Sequence, residues 1–463
     1  MAKRKALTGR ELNAKMSDML RVEKVQDVQE AQDETKVPVL ELSEGQQQVL
    51  DMVMKGESVY VSGPAGVGKS FVLERIIAAC RARGQRVAVT ASTGVAAVHV
   101  GGQTIHSFLG TGIIGTLTEA RKKLPWNASN VRPETVARIR DVDVLVIDEI
   151  SMLTGYYIDM ASSWMSMVRE VKGEPFGGVQ VILSGDFLQL EPIIKSSEQR
   201  EKGGRKKFAF QSQFWRKDII KEFELTKNFR QEDPEFQDNL MQLRQGICEH
   251  AQMKFFHPCV GRKLEEPTRL LTHNEAVNRI NAEKLAQLPG EQMEYEADLS
   301  GKDDFAIERI AKNCIAEYII KLKVDAPVLI LRNNFEIGYV NGTRAIITKL
   351  EEEAIEVRLP NGRLVDLQRY AWEQRDMNDK VEAKLVQFPV KLAWALTIHK
   401  SQGMTLDLAR IDLERCFAAG QAYVAMSRLR TLQGLSLDVP VAPDQFKVSQ
   451  DCLDYYGMVE KIS

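Results

Sequence analysis

Eight consecutive residues, GPAGVGKS from Gly63 to Ser70, have the types and the spacing that bind the phosphates of a nucleotide. They fit the pattern G-x-x-x-x-G-K-[ST] and lie between an apolar stretch and a helical one, as that pattern requires. Backbone N–H groups of such a loop surround the β-phosphate, Lys69 reaches the β and γ oxygens, and the Ser70 hydroxyl binds Mg²⁺. We therefore predict a nucleoside triphosphate site formed by Gly63, Pro64, Ala65, Gly66, Val67, Gly68, Lys69 and Ser70.

Two acidic residues, Asp148 and Glu149, end the apolar stretch VDVLVIDE further along the chain. A carboxylate at the tip of a strand beside the phosphate loop can hold magnesium, and a second carboxylate can orient or deprotonate the attacking water. We assign the first role to Asp148 and the second to Glu149. The stretch before them is too apolar for an exposed strand, which disfavours an incidental surface pair.

Three further polar residues have the chemistry to sense a γ-phosphate. Gln189 follows the apolar stretch VILSGD, and an amide there can hydrogen-bond the γ-phosphate or the attacking water. Arg230 in TKNFRQ and Arg428 in AYVAMSRLR could be donated across a cleft, which makes closure of that cleft depend on the nucleotide. For either arginine taken alone, a surface salt bridge is the alternative interpretation.

Two polar, glycine-containing segments have the side chains that grip a sugar-phosphate backbone without reading bases. They are TASTGVAAVHVGGQTIHSFLG (90–110) and HKSQGMT (399–405). Two matched grips on two lobes predict a motor that moves along a strand. The candidate contacts are Thr93, Thr104, His106 and Ser107 in the first segment, and His399, Lys400 and Thr405 in the second.

Short apolar runs alternate with amphipathic segments from Val59 onward, and each run is typical of a buried parallel strand. The pattern predicts a first α/β lobe from VYVSG, RVAVTAS, DVLVIDE and VQVILSGD, and a second from TRLLTH (268–273), APVLILRN (326–333), KLAWALTIH (391–399) and LARIDL (408–413). Between Gly342 and Pro389, short alternating segments and a PNG turn predict a small β-barrel inserted in the second lobe.

The composition is that of a folded protein, with 44% apolar and 27% charged residues. Because 62 Lys and Arg nearly balance 64 Asp and Glu, net charge neither supports nor excludes a nucleic-acid partner. No apolar run reaches the roughly 18 residues that span a membrane, and the opening segment lacks the apolar core of a signal peptide. A cytoplasmic protein with free thiols is the simplest interpretation.

Nine motifs in order resemble the petite-integration-frequency (PIF-type) DNA helicases of superfamily 1B, from Leu42 to about Leu437. The motifs are LSEGQ, GPAGVGKS, VTASTGVAA with GGQTIHSF, VIDEISML, SGDFLQLEP, FRQ, VNG, LAWALTIHKSQGMT and YVAMSR. The resemblance implies an α/β fold of two RecA-like P-loop NTPase lobes with an SH3-like β-barrel inserted in the second lobe. One departure is Glu191, where the family usually has proline.

The resemblance also implies ATP-driven travel along single-stranded DNA from 5′ to 3′, with duplex, and often G-quadruplex or RNA–DNA hybrid, opened ahead. By position, Gln46 would read adenine, Gln402 would contact the nucleotide, and ATP with Mg²⁺ would be bound by Lys69, Ser70 and Asp148. Gln189, Arg230 and Arg428 would sense the γ-phosphate, and Glu149 would drive hydrolysis. The residues along the DNA would include His106, Ser107, Lys400 and Thr405.

The expected organisation is a solvated arm over 1–41, a first lobe over 42–220 with a small wedge near 112–140, and a second lobe over 221–463 with the barrel over 343–390. The expected partners are single-stranded DNA and single-strand/duplex junctions. We expect a monomeric, cytoplasmic motor, associated with the nucleoid in a bacterium or working in the host cytoplasm for a phage.

Two other functions share these residues. An ATP-gated clamp or loader would bind single-stranded DNA and hydrolyse ATP without processive unwinding, and strand-displacement assays separate it from a helicase. An RNA-directed motor would be distinguished by comparing the stimulation of ATP hydrolysis by RNA and by DNA.

Overall fold

The first sheet of the molecule is parallel throughout, and the phosphate loop follows one of its central strands. The computed structural model describes residues 41–463 except 113, 115–116, 126, 193–205, 217, 335, 377–379 and 417. Within these residues the strands of the first sheet are β1 (Ser58–Ser62), β2 (Val87–Ala91), β3 (Gln103–Thr104), β4 (Val144–Asp148), β5 (Gln180–Ser184), β6 (Ile220–Leu225) and β21 (Glu460–Ile462). Their order is β21-β6-β1-β5-β4-β2-β3, and the four apolar runs predicted for the first lobe are confirmed as β1, β2, β4 and β5.

Helices connect and cover these strands. They are α1 (Glu44–Met54), α2 (Lys69–Ala82), α3 (Gly94–His99), α4 (Ile105–Leu109), α5 (Leu117–Lys123), α6 (Pro133–Asp141) and α7 (Gly155–Val168). Helix α1 begins with a reciprocal cap, because Ser43 Oγ accepts from the N–H of Gln46 and Gln46 Oε1 accepts from the N–H of Ser43. This cap fixes Gln46 in the first turn of α1.

A second parallel sheet confirms the predicted second α/β lobe. Its strands are β7 (Thr268–Leu271), β18 (Ala395–Thr397), β19 (Ala409–Ile411) and β20 (Leu435–Leu437), in the order β18-β7-β19-β20. The later helices include α8 (Pro234–Arg244), α9 (His250–Phe256), α10 (Asn274–Gln287), α12 (Gln421–Met426) and α13 (Gln450–Tyr456). None of the helices in the described residues combines the length and the apolar character needed to cross a bilayer.

An antiparallel region lies between β7 and β18 in the chain. Its first two strands precede helix α11 (Asp304–Asn313), and the others follow it. Its strands are β8 (Met293–Glu296), β9 (Asp298–Gly301), β10 (Ile319–Leu322), β11 (Pro327–Ile330), β12 (Arg344–Leu350), β13 (Ala354–Arg358), β14 (Leu364–Gln368), β15 (Tyr370–Arg375), β16 (Val381–Gln387) and β17 (Val390–Leu392). They form sheets in the orders β14-β13-β12-β11-β17, β15-β16-β9 and β10-β8. The antiparallel region therefore begins before the predicted limit of 343.

One predicted strand of the second parallel sheet belongs to the antiparallel region instead. APVLILRN contains β11, but β11 pairs antiparallel with β12 and β17 and does not join the second parallel sheet. KLAWALTIH divides likewise into β17, which belongs to the antiparallel region, and β18, which is parallel to β7. All four residues of β11 are buried, so the run is apolar throughout, as it would be in a parallel strand. Apolar periodicity alone does not separate the two cases.

The predicted boundary between the lobes also needs correction. Strand β6, which begins at Ile220, pairs parallel with β1, and the C-terminal strand β21 pairs parallel with β6. The buried side chains of α13 join the core of the first lobe beside Tyr60. The chain thus returns to the first sheet after the second lobe. The predicted arm over 1–41 lies outside the described residues apart from its last residue, as does part of the predicted wedge near 112–140.

Candidate functional site

The phosphate loop has a backbone shape that requires glycine at three positions. Gly63, Gly66 and Gly68 have φ angles of 141°, 94° and 78°. A β-carbon at Gly63 would lie 2.4 Å from the carbonyl oxygen of Leu225, so the loop also packs closely on the end of β6. The predicted loop is therefore present with the turns and close contacts that its glycines allow.

Lys69 lies across the mouth of this loop. Its Nζ donates to the carbonyl oxygens of Gly63 at 2.7 Å and Pro64 at 3.0 Å. Burial lowers the pKa of Lys69, and the nearby carboxylate of Asp186 acts in the opposite direction. Because α2 begins at Lys69, Ser70 lies in the first helical turn, where unpaired N–H groups favour an anion.

A glutamine and an aromatic ring flank the loop. Gln46 is 2% exposed, and its Nε2 donates to the carbonyl oxygen of Val67 at 3.1 Å. Phe229 donates its backbone N–H to the carbonyl oxygen of Gly66 at 2.9 Å, yet its side chain is 55% exposed. A β-carbon at Gly68 would lie 2.6 Å from Gln46 Nε2 and 3.8 Å from the Phe229 ring. Sequence analysis missed Phe229, although it lies in the same NFRQ segment as the predicted arginine.

The acidic pair lies at the C-terminal end of β4, an interior strand of the sheet that carries the phosphate loop, with Asp148 as its last residue. Asp148 is 7% exposed, and its Oδ1 accepts from the N–H of Glu149 at 2.9 Å. Glu149 has a φ angle of 51°, an uncommon value for a residue other than glycine. Burial raises the pKa of Glu149 to about 7, and the charge of Asp148 adds to the shift. A carboxylate with such a pKa is suited to accept a proton near neutral pH.

Gln189 is held by two neighbours. Its Nε2 donates to Asp186 Oδ2 at 2.9 Å, and Asp186 is in turn ion-paired with Arg244 at 2.9 Å. The backbone oxygen of Gln189 packs on Gly420, where an added β-carbon would lie 1.7 Å away. The structure thus connects the predicted γ-phosphate sensor to Asp186 and Arg244, which sequence analysis did not identify.

The two predicted arginines lie close together and share a partner. Arg230 Nη1 donates to the carbonyl oxygen of Ser427 at 2.9 Å, and Arg428 Nη2 donates to Ser427 Oγ at 2.9 Å. Desolvation lowers the pKa of Arg230 to about 9 and that of Arg428 to about 10, and the charge of Arg428 adds to the shift of Arg230. Among the residues described, no carboxylate forms an ion pair with either guanidinium, so the surface-salt-bridge interpretation is not supported.

The segment that carries Arg230 also contacts the phosphate loop. Asn228 Nδ2 donates to the carbonyl oxygen of Ala65 at 3.4 Å, and a β-carbon at Gly66 would lie 2.8 Å from the β-carbon of Arg230. From the second lobe, the Tyr423 hydroxyl accepts from the N–H of Ala65 at 3.2 Å. The structure therefore brings the loop, Gln189 and both arginines together at the junction of the two lobes.

Two hydroxyls predicted to contact DNA cap short helices. Thr93 Oγ1 accepts from the N–H of Ala96 at 3.3 Å at the start of α3. Thr104 Oγ1 accepts from the N–H of Ser107 at 3.2 Å at the start of α4. Both hydroxyls thus stabilise the start of a helix. Each uses one lone pair for this, so the other lone pair and the O–H group can still bind a phosphate or water.

The other two predicted contacts in this segment are partly exposed, and each contacts a protein side chain. The ring of His106 lies 4.6 Å from that of Tyr157, and burial lowers the pKa of His106 to about 4. Ser107 Oγ accepts from Arg309 Nη1 of α11 at 2.8 Å, and Arg309 Nη2 is ion-paired with Glu382 at 2.9 Å. His106 is therefore neutral at pH 7, and helix α11 occupies Ser107 in this arrangement.

The second predicted grip lies beside the nucleotide site. Thr405 Oγ1 accepts from Arg230 Nε at 3.1 Å, so this loop contacts a predicted γ-phosphate sensor. Burial lowers the pKa of His399 and of Lys400, and the neighbouring Lys391 adds to the shift of Lys400. The Nε2 of Gln402 is buried and has no hydrogen-bond partner among the described residues. The loop that carries these residues contacts Arg230, and the contacts of its side chains with DNA or nucleotide stay predictions.

Two family models match the chain. The PIF1-like helicase model matches residues 41–254, and the DNA helicase Pif1 2B domain model matches residues 305–350. The first range includes the phosphate loop, the acidic pair, Gln189 and Arg230, and the second includes most of α11.

Curated relatives carry the same description. The chain is 37% identical over 430 residues, 91% of its length, to the ATP-dependent DNA helicase PIF1 of Xenopus laevis, and it spans 65% of that relative, less than two thirds. It is 34% identical over 424 residues to the ATP-dependent DNA helicase Pif1 of Bdellovibrio bacteriovorus, with 91% of this chain and 93% of that one covered.

A solved structure gives a similar result over nearly its whole chain. Bacteroides sp. Pif1 in complex with ADP-AlF4 matches with a TM-score of 0.78 at 32% identity, covering 90% of this chain and 97% of that one. Bacteroides Pif1 bound to ssDNA matches at the same identity and coverage with a TM-score of 0.61. From the family models, the curated relatives and this solved structure, the chain belongs to the PIF1-like helicase family.

Proposed function

We propose that this chain is an ATP-dependent DNA helicase, a motor that travels 5′ to 3′ on single-stranded DNA and opens duplex ahead of it. The observation that carries the proposal is the pair Arg230 and Arg428. Both guanidiniums are desolvated, and neither forms an ion pair with a described carboxylate. Arg230 contacts the phosphate loop and the second lobe at once. A γ-phosphate in the cleft would supply the missing anion and would draw the lobes together.

The residues of the chain divide the work of hydrolysis. Lys69 neutralises the β and γ oxygens, and Glu149 accepts the proton of the attacking water at a pKa near the working pH. Gln189 orients that water, and the arginines stabilise the charge that spreads over the γ oxygens as the bond breaks. The Gln46 amide and the exposed Phe229 ring flank the phosphate loop, which supports the proposal that they contact the adenine.

Ser70 and Asp148 fit a magnesium ion. They offer one hydroxyl and one carboxylate oxygen, which are ligands that Mg²⁺ prefers, and the buried Asp148 lies at the sheet edge of the loop. Among the described residues no group of three His, Cys, Asp or Glu side chains could hold a metal alone, so phosphate oxygens and water would complete the shell. The bound ion supplies further neutralisation of the phosphate charge.

The DNA path is proposed to run over both polar segments. The relative bound to ssDNA matches this structure less closely than the relative bound to ADP-AlF4, and here α11 occupies Ser107. We infer that DNA binding displaces α11 from the first segment. The same proposal includes single-strand/duplex junctions, G-quadruplex or RNA–DNA hybrid as substrates, a monomeric cytoplasmic motor, and a wedge built from the region of α5 and α6.

Strand displacement tests the proposed activity and its polarity together. A duplex with only a 5′ single-stranded tail is expected to be opened in the presence of ATP, and one with only a 3′ tail is not. A protein that hydrolyses ATP on both substrates but displaces neither a complementary strand nor bound streptavidin would be an ATP-gated clamp. Opening from the 3′ tail alone would contradict the polarity.

A further inference from the structure

A buried ion-pair cluster lies behind the nucleotide site. Arg244 is the last residue of α8 and is 2% exposed. Its Nε and Nη2 donate to the two carboxylate oxygens of Asp186 at 3.0 and 2.9 Å, and its Nη1 donates to Glu224 Oε1 at 2.9 Å. The guanidinium carbon lies 5.1 Å from the centre of the Tyr456 ring. The guanidinium is therefore fixed by three hydrogen bonds and an aromatic face.

Asp186 passes this restraint to the site. The oxygen that accepts from Arg244 Nε, Oδ2, also accepts from Gln189 Nε2 at 2.9 Å. The other oxygen, Oδ1, accepts from the hydroxyl of Tyr456 at 3.2 Å. A carboxylate held at both oxygens by Arg244 and Tyr456 cannot rotate freely. The direction of the Gln189 amide is set by a partner that is itself immobilised.

Tyr456 connects the cluster to the phosphate loop. Its hydroxyl lies 2.5 Å from Ser62 Oγ, the last residue of β1 before the loop, and accepts from the N–H of Phe187 at 3.0 Å. Tyr456 belongs to α13, near the C-terminal end of the chain, and Arg244 belongs to α8. Helices α8 and α13, which carry no predicted catalytic residue, therefore both hydrogen-bond to Asp186.

We propose that Arg244 and Tyr456 are positioning residues for ATP hydrolysis, acting through Asp186 on Gln189. The inference rests on the proposed function of Gln189 in the hydrolytic step. A buried ion pair of this kind is often no more stabilising than well-packed apolar side chains, so its contribution here is the fixed geometry it imposes. A displacement of a positioning group by about 1 Å can lower turnover by about a hundredfold.

The test compares single-stranded-DNA-stimulated ATP hydrolysis in conservative variants. Arg244→Lys keeps the charge but loses the planar fork that engages both oxygens of Asp186. We expect kcat to fall about tenfold to a hundredfold, with the KM for ATP and the affinity for single-stranded DNA within about twofold. The matched control is Arg216→Lys, which alters an exposed ion pair with Asp218 and is expected to leave kcat unchanged.

Combining variants separates positioning from a purely structural role. If Arg244 acts through Gln189, then Arg244→Lys in a Gln189→Ala background should cause little further loss of kcat. A structural role would instead lower the melting temperature and reduce kcat by the same factor in both backgrounds. Tyr456→Phe keeps the ring over the guanidinium and removes only the hydroxyl. It should lower kcat about threefold to tenfold and carries the test if Arg244→Lys does not fold.

The outcomes distinguish this inference from the proposed function. A normal kcat in Gln189→Ala would refute the role of Gln189 and this inference with it. A slow Gln189→Ala enzyme combined with a normal kcat in folded Arg244→Lys, or in Tyr456→Phe, would overturn the inference alone. Equal losses in the two backgrounds would also overturn it.

Discussion

At the scale of single residues, the site holds ionisable groups in surroundings that disfavour their usual charge. Burial raises the pKa of Glu149 to about 7, and desolvation lowers the pKa values of Arg230 and Arg428. A buried charge costs free energy unless it is paired. Among the described residues no carboxylate forms an ion pair with either arginine, although the charge of Glu149 acts on Arg428. We propose that a nucleotide that brings a γ-phosphate to them offsets this cost, so that its binding can change the conformation.

Replacement of the proposed base should slow hydrolysis without weakening binding. Glu149→Gln is expected to bind ATP and single-stranded DNA normally and to turn over at least about a hundred times more slowly. Because the pKa of Glu149 is raised to about 7, the fraction of Glu149 that is ionised, and so able to accept a proton, increases between pH 6 and pH 8. Wild-type kcat should therefore increase over this range. The pH profile of single-turnover hydrolysis measures this. Weak ATP binding by the variant would place Glu149 among the magnesium ligands.

The exposed ring beside the loop gives a separate prediction. Phe229→Ala should raise the KM for ATP about tenfold, because aromatic stacking on a base contributes about 1–3 kcal/mol. Phe229→Tyr is the matched control, since it keeps the stacking face and should behave as wild type. Steady-state ATP hydrolysis with saturating DNA reports both. An unchanged KM in Phe229→Ala would show that the ring does not contact the nucleotide.

The residue types and spacing of the sequence were sufficient to predict the backbone shape of the phosphate loop, whereas the ligand contacts of its residues stay predictions. Gly63 and Gly68, which the motif specifies, have positive φ angles, and so does Gly66 at a position that the motif leaves open. Thr93 and Thr104 were predicted as DNA contacts but cap α3 and α4, and a threonine before a short helix serves either purpose. Arg244 could not be predicted, because its partner Asp186 lies far away in the chain.

At the scale of elements, α11 is the helix whose position bears most on DNA binding. Arg309 of α11 donates to Ser107 and is ion-paired with Glu382, and Gly94 of α3 is in close contact with Asn313. A DNA strand over the first polar segment would have to displace these contacts. On the proposed DNA path, the affinity for DNA would therefore be reduced by the free energy that holds α11 in place.

Loss of the contact between α11 and Ser107 should strengthen DNA binding. Arg309→Ala is expected to increase the affinity for single-stranded DNA by about tenfold or more, because a charge-assisted hydrogen bond contributes about 1.5–3 kcal/mol and about 1.4 kcal/mol corresponds to a factor of ten. The control is Lys312→Ala, which removes an exposed cation from the same helix. Fluorescence anisotropy without nucleotide measures both. An affinity that falls equally in the two variants would mean that Arg309 only attracts phosphate charge.

The elements were predicted best where an apolar run has a single explanation. The four runs of the first lobe became parallel strands, whereas β11 was assigned to the wrong sheet because a strand buried on both faces looks the same in either arrangement. Strand β21 was missed because its residues Glu460–Ile462 form a short edge strand with no apolar run. It pairs with β6 because the C-terminal end of the chain comes back to the first sheet, and the pattern of apolar residues does not predict such a long-range pairing.

At the scale of the whole molecule, the two lobes meet at the nucleotide site. Tyr423 of α12 contacts the phosphate loop at Ala65, and Gly420 packs on Gln189. Arg230 and Arg428 hydrogen-bond to Ser427 in the same region. A change at a γ-phosphate bound here would therefore act on the second polar segment (399–405), through the hydrogen bond from Arg230 to Thr405. We propose that this geometry couples hydrolysis to movement of one lobe against the other.

The central claim is that an arginine reaching across this junction makes hydrolysis drive movement, and Arg428→Ala tests it most directly. Loss of such an arginine typically lowers turnover by about 10³ to 10⁵. We predict a loss of at least about a thousandfold in DNA-stimulated ATP hydrolysis, together with loss of unwinding, while affinity for single-stranded DNA without nucleotide stays within a few-fold of wild type. Near-normal unwinding by this variant, or a defect confined to nucleotide-free DNA binding, would contradict the account.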